Sequence, residues 1–512
     1  MQVGRDADGA AECAPHSRTA PGRVKRRSQA RLGSLLASRL ARLLLGGALI
    51  GVTAGLMPAQ GVGAATSGLT TASQSVGRPP AAPIYPDWFR DATIYEVNIR
   101  QYTKAGTFKA FQTHLPRLKA LGVKVLWLMP IHPIGAEKRL GTLGSYYSVR
   151  DYTKVNPEFG TAKDFKALVD AAHNQGFKVI LDWVANHTAW DNPWVSTNPD
   201  WYTKDSQGNI VSPDRTGWSD VADLNYSSAG LRTAMSDAMA MWVRDYDIDG
   251  FRCDVAGMVP TDFWEQAMSK VRAIKPVLML AENESNADLL DKAFLVNYNW
   301  SLLKEFNKVG YGWTHNSYIQ DLMAHQADAA VYPDNSMPMN FLTNHDENSW
   351  NGTEYERLGS AVPALTVMSF TLPGVPLVYT GQEIALKKRL KFFDKDEVVW
   401  PAKPTSVGVG QLITKLVAAK KANPSLFNGN LGGALLWLPN GGSTDVFTYA
   451  RVSGSNRTIV VTNPTDTSER VTLSLGTLAG TFKRMSDGKS VKLSAKHILD
   501  LPAYGWQVFT TK

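Results

Sequence analysis

Cysteine is almost absent from this sequence, which contains two, Cys13 and Cys253, among 512 residues. Two cysteines allow at most one disulfide, so a scaffold that depends on a disulfide framework is excluded. Cys13 lies in a segment that we expect to be removed on export, and its removal would leave Cys253 unpaired. Stability must therefore come from packing, in a chain long enough for roughly two or three domains.

An excess of charge of one sign is also lacking over most of the chain. Residues 1–65 hold nine of the 54 Lys and Arg residues but only three of the 46 acidic residues. The remainder has 45 basic and 43 acidic residues, which is a net charge of +2. Such a nearly neutral body argues against nucleic acid or an anionic surface as a partner.

No apolar run is long enough to span a membrane. The run at residues 43–57 falls short of the roughly 20 residues that a membrane helix needs. It follows a basic stretch and precedes small residues around Ala64 and Ala65, which is the layout of a secretory signal peptide. We therefore predict a signal peptide over residues 1–65 and a secreted, extracellular protein without stable membrane association. A retained N-terminal anchor and export by the twin-arginine route both stay open.

From about residue 90, short apolar runs typical of β-strands alternate with stretches of helical periodicity, such as residues 161–176. Eight strand–helix units favour a closed (β/α)8 TIM barrel over residues 87–425, with a doubly wound open sheet as the main alternative. A Ser/Thr/Gly/Pro-rich lead-in over residues 66–86 precedes it. The strand runs are residues 92–99, 123–131, 177–184, 247–255, 277–283, 293–299, 339–344 and 375–381.

Two regions depart from this alternation. Residues 188–222, after the third strand, are rich in Trp, Asn and Pro, and we expect a short, non-helical inserted lobe over one end of the barrel. Over residues 426–512 the pattern changes to alternating strands separated by turns, which predicts a C-terminal antiparallel β-sandwich. The clearest of these strands are residues 445–452, 457–463 and 470–475.

Polar residues are concentrated where the predicted barrel strands end, which is where the active sites of such barrels lie. Any one of them could be a helix cap or a packed side chain. Their occurrence at four strand ends of one barrel indicates a shared site. They are Asp182, Asn186 and His187 at the third strand, Arg252 and Asp254 at the fourth, Glu282 at the fifth, and Asn344, His345 and Asp346 at the seventh.

Arg252 and Asp254 lie two residues apart, so on a strand their side chains point to the same face. The cation is expected to lower the pKa of Asp254 and keep it ionised as a nucleophile. Glu282, within an apolar run, is suited to be a proton donor with a raised pKa, and Glu284 is a second candidate for that role. Retaining glycoside cleavage needs two such carboxyl groups about 5 to 5.5 Å apart.

Four segments at these strand ends resemble the α-amylase superfamily of glycoside hydrolases in order and spacing: DWVANH (182–187), GFRCDVAGM (250–258), MLAENES (279–285) and FLTNHDEN (341–348). Further matches are YYSVRDY (146–152), VADLNY (221–226) and GVPLVYTGQE (374–383). The resemblance covers roughly residues 86–425. It implies a retaining (β/α)8-barrel enzyme without an organic cofactor that acts, as a monomer, on α-glucan oligo- or polysaccharides.

The resemblance also implies a role for each site residue. Asp254 would be the nucleophile, Glu282 the general acid and base, and Asp346 a group that binds the sugar hydroxyls more tightly as the ring flattens. The remaining substrate-binding residues would be Arg252, which orients Asp254, His187 and His345, which donate hydrogen bonds to the sugar, and Tyr147, which stacks on its face.

In many relatives, residues at the places of Asn186 and Asp223 help to hold a structural Ca²⁺, and oxygen ligands suit this ion. The alternative is that Asn186 caps its loop and Asp223 caps a following helix. A second calcium loop, found after the first strand in some relatives, needs closely spaced Asp and Asn residues. Residues 100–111 contain none, so we expect that site to be absent.

One departure from the family pattern bears on the substrate. Where the best-known α-amylases carry a Lys-His pair on the leaving-group side, this chain has Gly257 and Met258. The main hypothesis is hydrolysis of mainly α-1,4 bonds in starch-like glucans or maltooligosaccharides. A transglycosylase with the same carboxylates is the first alternative. A non-catalytic glycan-binding barrel is the second, although such proteins typically lose a catalytic carboxylate.

Overall fold

The computed structural model describes residues 86–312, 316–333, 335–404 and 408–512. The predicted signal peptide and, apart from Pro86, the predicted lead-in lie outside these residues. Eight parallel strands close into a barrel in the order β1-β10-β9-β8-β7-β6-β3-β2, which confirms the predicted TIM barrel and excludes the open sheet. These strands are β1 (Ile94–Val97), β2 (Val125–Leu128), β3 (Lys178–Trp183), β6 (Gly250–Cys253), β7 (Leu278–Ala281), β8 (Val296–Tyr298), β9 (Met337–Asn340) and β10 (Val375–Tyr379).

The barrel strands are buried on both faces, which explains why they appear in the sequence as continuous apolar runs. Inward-pointing side chains such as Ile180, Leu278 and Leu280 form a core of their own inside the barrel. Side chains alternate along a strand, so Asp182 and Glu282, each two residues after one of these, also point inward. The alternation that points apolar side chains into the barrel therefore also points these polar side chains inward at its C-terminal end.

Helices surround the barrel and bury one face against it. In α4 (Ala162–Asn174) a capping box between Thr161 and Asp164 fixes the first turn, and Phe165, Leu168 and Ala172 are buried. The other helices are α1 (Ile99–Tyr102), α2 (Phe108–Gln112), α3 (Leu115–Leu121), α5 (Pro193–Thr197), α6 (Ala229–Tyr246), α7 (Thr261–Arg272), α8 (Asp288–Lys292), α9 (Trp300–Gly310), α10 (Asn316–Gln326), α11 (Glu354–Leu358), α12 (Val362–Thr371) and α13 (Gly410–Ala422). A π-helix covers Glu347–Asn351. Within the described residues no helix is both long enough and apolar enough to cross a membrane.

The inserted lobe after β3 is built around a short antiparallel pair, β4 (His187–Ala189) and β5 (Val221–Asp223). The prediction that this lobe lacks helix is wrong, because α5 forms within it. The side chain of Asn192 accepts a hydrogen bond from the backbone N–H of Trp194, and Pro193 occupies the first turn. Asn before a helix and Pro in its first turn both favour a helix start. Because Asn and Pro occur throughout the lobe, this signal does not stand out in the sequence.

The C-terminal strands are all antiparallel and confirm the predicted second architecture. In the larger sheet, Tyr449 and Val460 face the barrel core, while Ala450 and Ile459 face a separate core that includes Leu473 of the smaller sheet. The two sheets therefore pack as a sandwich. The larger sheet contains β11 (Ala434–Trp437), β12 (Phe447–Ser453), β13 (Asn456–Thr462), β15 (Gly480–Arg484), β16 (Ser490–Leu493) and β18 (Trp506–Thr510), and the smaller contains β14 (Glu469–Ser474) and β17 (Lys496–Leu501).

Candidate active site

A cleft of about 250 Å³ lies at the C-terminal ends of the barrel strands. It brings together all three acids predicted as catalytic and three of the predicted substrate-binding residues. The residues that line it are Leu140, Ser145, Tyr147, His187, Gly217, Trp218, Asp220, Val221, Asp254, Val255, Glu282, His345, Asp346, Trp350, Phe392 and Phe393.

Arg252 is the fourth predicted substrate-binding residue, and it lies fully buried beneath the cleft. Its Nη1 donates to Asp182 Oδ1 at 2.8 Å and to Asp254 Oδ1 at 2.9 Å. Its Nη2 lies 2.9 Å from Glu282 Oε2, and its Nε donates to the hydroxyl of Tyr298 at 3.0 Å. A guanidinium suits such a site because its planar donors can bind several carboxylates at once.

Backbone hydrogen bonds fix the positions of Asp254 and Glu282, the two acidic residues at the ends of β6 and β7. The N–H of Asp254 donates to the carbonyl of Trp183, and the N–H of Glu282 donates to that of Cys253, both at 2.9 Å. These bonds continue the parallel ladder one residue beyond β6 and β7. Glu282 Oε2 also accepts the N–H of Val255 at 2.8 Å, so both acids are held on rigid strand ends.

The predicted lowering of the pKa of Asp254 is wrong. Burial raises the pKa of this carboxyl, the neighbouring Glu282 raises it further, and Arg252 offsets only part of the rise. The sequence shows Arg252 two residues away, but it does not show that the same cation also serves Asp182 and Glu282. A second carboxylate close to the same cation disfavours ionisation of Asp254, which therefore retains its proton more readily than a free aspartate.

Glu284, the alternative to Glu282, has a different function in the structure. Its carboxylate accepts the backbone N–H of Ser301 at 3.1 and 3.0 Å, in the first turn of α9. It is not among the residues that line the cleft. The geometry therefore favours Glu282 as the acid of the pair.

On the other side of the cleft, Tyr147, His345 and Asp346 form a connected network. The Tyr147 hydroxyl donates to Asp182 Oδ2 at 3.0 Å and lies 2.8 Å from His345 Nε2, which is 3.2 Å from Asp346 Oδ2. Burial alone would lower the pKa of His345, but Asp346 and Glu96 raise it well above its usual value. A protonated His345 in turn lowers the pKa of Asp346 against the effect of burial. This side of the cleft is therefore ionised and pre-organised to bind hydroxyl groups.

The family sequence model that describes the α-amylase catalytic domain matches residues 83–400 of this chain. The chain belongs to the α-amylase family. It is similar to the crystal structure of a noncanonic maltogenic α-amylase, AmyB from Thermotoga neapolitana, with a TM-score of 0.74 and 31% identity over 83% of this chain and 99% of that one. An α-amylase from Lactobacillus plantarum gives a TM-score of 0.72 and 30% identity over the same shares.

A curated relative, α-amylase MalA of Haloarcula japonica, is 28% identical over 421 residues, which cover 79% of this α-amylase family chain and 59% of the relative. A cyclomaltodextrin glucanotransferase of Bacillus licheniformis is 27% identical over 425 residues, which are 74% of this chain and 57% of that protein. This chain thus spans less than two thirds of the length of either relative.

Several residues of this α-amylase family site carried no recognisable signal in the sequence. The strand-end position of Asp182 does not reveal its partners, which are Arg252, Tyr147 and Trp127. Trp218 lies against His187 with ring centroids 5.3 Å apart. Trp350, Phe392 and Phe393 form an aromatic cluster with centroids 5.1 to 5.7 Å apart. Trp218, Phe392 and Phe393 lie in loops and Trp350 in the short π-helix, where no periodicity separates a site residue from a core residue.

The calcium residues predicted from the α-amylase resemblance are close by register, because His187, next to Asn186, pairs with Asp223 across β4 and β5. Burial raises the pKa of Asp223, and a hydrogen bond with Thr203 opposes this only in part, so a cation would be favourable there. However, the described residues contain no group of three or more His, Cys, Asp or Glu side chains placed for a metal. Asn186 and Asp223 supply few of the 6–8 oxygens that Ca²⁺ takes.

Asp223 does not cap the following helix, because Ser228 caps α6 by accepting the N–H of Leu231. The side-chain amide of Asn186 lies 3.3 Å from His187 Nδ1, and its backbone carbonyl accepts the N–H of Leu224.

Proposed function

We propose that this chain hydrolyses α-glucosidic bonds, mainly α-1,4, in starch-like glucans or maltooligosaccharides, with retention of anomeric configuration. One observation carries the proposal. Asp254 and Glu282 occupy neighbouring strand ends, line the same cleft and bind the two terminal nitrogens of Arg252. A nucleophile on one side of the anomeric carbon and a proton donor beside the leaving oxygen on the other side are the two groups that retaining hydrolysis needs.

In the first step, a carboxylate oxygen of Asp254 attacks the anomeric carbon. Glu282 donates its proton to the glycosidic oxygen, the bond between that oxygen and the anomeric carbon breaks, and a glycosyl ester of Asp254 forms. In the second step, Glu282, now ionised, removes a proton from water. The water oxygen attacks the anomeric carbon and releases Asp254 as a carboxylate, with Glu282 protonated again.

The network opposite this pair is suited to hold the ring that reacts. Asp346, ionised and 36% exposed at its side chain, can accept hydrogen bonds from sugar hydroxyls. The protonated His345 holds Asp346 and the Tyr147 hydroxyl in place, and Tyr147 offers an aromatic face to the ring. Such contacts accelerate the reaction where they strengthen as the ring flattens in the transition state.

The test is incubation with soluble starch, maltotriose, pullulan, a cyclodextrin and trehalose, followed by chromatography of the products. We expect short maltooligosaccharides from starch. Asp254→Asn and Glu282→Gln should each lower kcat by at least about 10³-fold, while Glu284→Gln, a matched control outside the cleft, should keep it within a few-fold. Equal activity of the three variants would refute the assignment. Products longer than the substrate would show transglycosylation, and no product with any substrate would favour a non-catalytic barrel.

We also propose that the protein is exported by a signal peptide over residues 1–65 and acts as an extracellular monomer. The basic and apolar order of that segment supports this. N-terminal sequencing of protein recovered from the culture medium should find a start near residue 65. Size-exclusion chromatography with light scattering should give the mass of one chain.

We further propose a structural Ca²⁺ at Asn186 and Asp223, with carbonyl oxygens and water completing its ligands. Its role would be to hold the inserted lobe against the barrel. It takes no part in either chemical step.

A further inference from the structure

Two loops that touch each other line part of the cleft. Residues 140–144, from the segment after β2, and residues 391–395, from the segment after β10, together form what we call the bridge. The N–H of Leu143 donates to the carbonyl of Phe393 at 2.9 Å. Asp394 Oδ1 accepts the backbone N–H of Thr142 at 3.0 Å and its hydroxyl at 2.6 Å.

The two halves of the bridge are in van der Waals contact as well as hydrogen-bonded. Gly141 has a φ of +64°, and a Cβ at this position would lie 2.4 Å from the Cβ of Phe393. Any other residue at Gly141 would therefore strain the backbone and push the loops apart. Leu140 and Phe393, one from each half, both line the cleft.

Two adjacent residues of α1, the short helix that follows β1, donate hydrogen bonds to the bridge. Arg100 donates to the carbonyls of Gly144 and Leu143 at 3.0 and 3.2 Å. Gln101 donates to the carbonyls of Lys391 and Asp394 at 2.8 and 2.7 Å. Both side chains are buried. Each half is thus tied to the barrel by buried donors, which makes the bridge part of the scaffold.

The position of the bridge around the barrel determines which part of a substrate meets it. Strands β10, β1 and β2 are consecutive, so the bridge spans the mouth above β1, whereas β7, which carries Glu282, is four places away on the opposite side. Glu282 protonates the leaving oxygen, so the leaving sugars depart on the side of β7. The sugars that stay attached to the reacting ring must extend toward the bridge.

The side chains at the bridged end fit sugar rings. Phe392 is nearly parallel to Tyr147, with centroids 6.1 Å apart and an angle of 14°, and Trp350 lies beside it with 52% of its surface exposed. Aromatic faces of this kind pack on the apolar faces of glucose. On the opposite side of the barrel, after β6, the corresponding surface carries Gly257 and the exposed Met258.

We propose that the bridge makes this enzyme act from the non-reducing end of linear α-glucans. In an α-1,4 chain, the sugars beyond the reacting ring on the glycone side lead to the non-reducing end. A wall on that side admits only the few units that fit between Asp254 and the bridge, and it excludes a chain that continues. Each cleavage therefore releases one short product of fixed length. This inference rests on the proposed function.

The experiment compares two maltoheptaosides of 4-nitrophenol that differ only in a 4,6-O-ethylidene group on the non-reducing glucose. Initial rates of substrate loss are measured by chromatography. We expect the blocked substrate, and likewise a cyclodextrin, to react at least about 100-fold more slowly than the unblocked one. Equal rates, or a ladder of products from the first time points, would overturn the inference and leave the proposed function intact. Loss of neither substrate would overturn both.

The role of the bridge itself is tested with Asp394→Ala, which removes both hydrogen bonds to Thr142. The blocked-to-unblocked rate ratio should rise by about tenfold. The matched control is Asp151→Ala, since Asp151 binds the N–H and hydroxyl of Thr153 in the same way but lies outside the bridge. The control should keep the ratio of the unchanged enzyme. The same ratio in both variants would show that the bridge does not exclude the blocked end.

Discussion

Asp254 and Glu282 are bound by the two terminal nitrogens of one guanidinium group, that of Arg252, at 2.9 Å each. This arrangement places the two acids close together, so the negative charge of Glu282 raises the pKa of Asp254. Burial and this coupling raise the pKa of Asp254. Asp254 is therefore ionised, as a nucleophile must be, only at a higher pH than a free aspartate.

Arg252→Lys should lower kcat by about 100-fold or more, because lysine cannot bind three carboxylates with a planar fork. It should also raise the pKa of Asp254 further, because the substitution removes the hydrogen bond that Arg252 Nη1 donates to this carboxylate. Activity needs an ionised nucleophile and is lost as the pH falls through this pKa, so the acid limb of kcat/KM should move to higher pH. Arg232→Lys is the control. Arg232 pairs with the exposed Asp262, and loss of this ion pair should lower the free energy of unfolding by at most about 1 kcal/mol. An unmoved acid limb in Arg252→Lys would contradict the electrostatic role.

Tyr147→Phe should lower kcat/KM by about tenfold, because it removes the hydroxyl between Asp182 and His345. The neighbouring Tyr146→Phe provides a matched control, since it removes a buried hydroxyl that binds Asn98 and is not in the cleft. We expect the control to keep its kcat/KM within about twofold. Steady-state kinetics on one maltooligosaccharide compares the two variants, and equal losses would argue against a specific role for Tyr147.

Glu354 should make the stability of the protein depend on pH between about 4.5 and 7. Burial raises the pKa of this carboxyl from 4.5 to about 7. Because the pKa of Glu354 is higher in the folded than in the unfolded protein, its contribution to the free energy of unfolding is fully present below pH 4.5. This contribution is lost as the pH rises through 7. The loss is on the order of 3 kcal/mol.

Glu354→Gln should abolish this loss, as measured by chemical unfolding at pH 5 and pH 8. Glu356→Gln, on the same helix, is the control. Arg389 and Thr353 lower the pKa of Glu356 to about 2, so its effect on stability is confined to pH below about 4.5. A pH dependence in Glu354→Gln as steep as that of the unchanged protein would contradict this account.

Chelation should lower the melting temperature if Ca²⁺ is bound as proposed. Differential scanning calorimetry with and without EDTA measures the shift, and added Ca²⁺ should reverse it. In Asp223→Asn the shift should be much smaller. A melting temperature that is insensitive to EDTA in the unchanged protein would contradict the proposed calcium site.

The barrel and the location of its site follow from simple periodicity. The eight apolar runs each overlap a barrel strand, and inward parity carries Asp182, Arg252 and Glu282 to one end. The pKa of Asp254 could not be predicted from sequence, since its direction depends on how many carboxylates share Arg252. Nor could the bridge, because contacts such as that between Leu143 and Phe393 join loops about 250 residues apart in the sequence.

The most direct measurement is mass spectrometry of Glu282→Gln after incubation with an α-maltosyl fluoride. Fluoride leaves without protonation, so the first step can proceed, whereas hydrolysis of the ester lacks its base. We expect a maltosyl adduct on the proteolytic fragment that contains Asp254. Release of fluoride without an adduct, or an adduct on a fragment without Asp254, would contradict it.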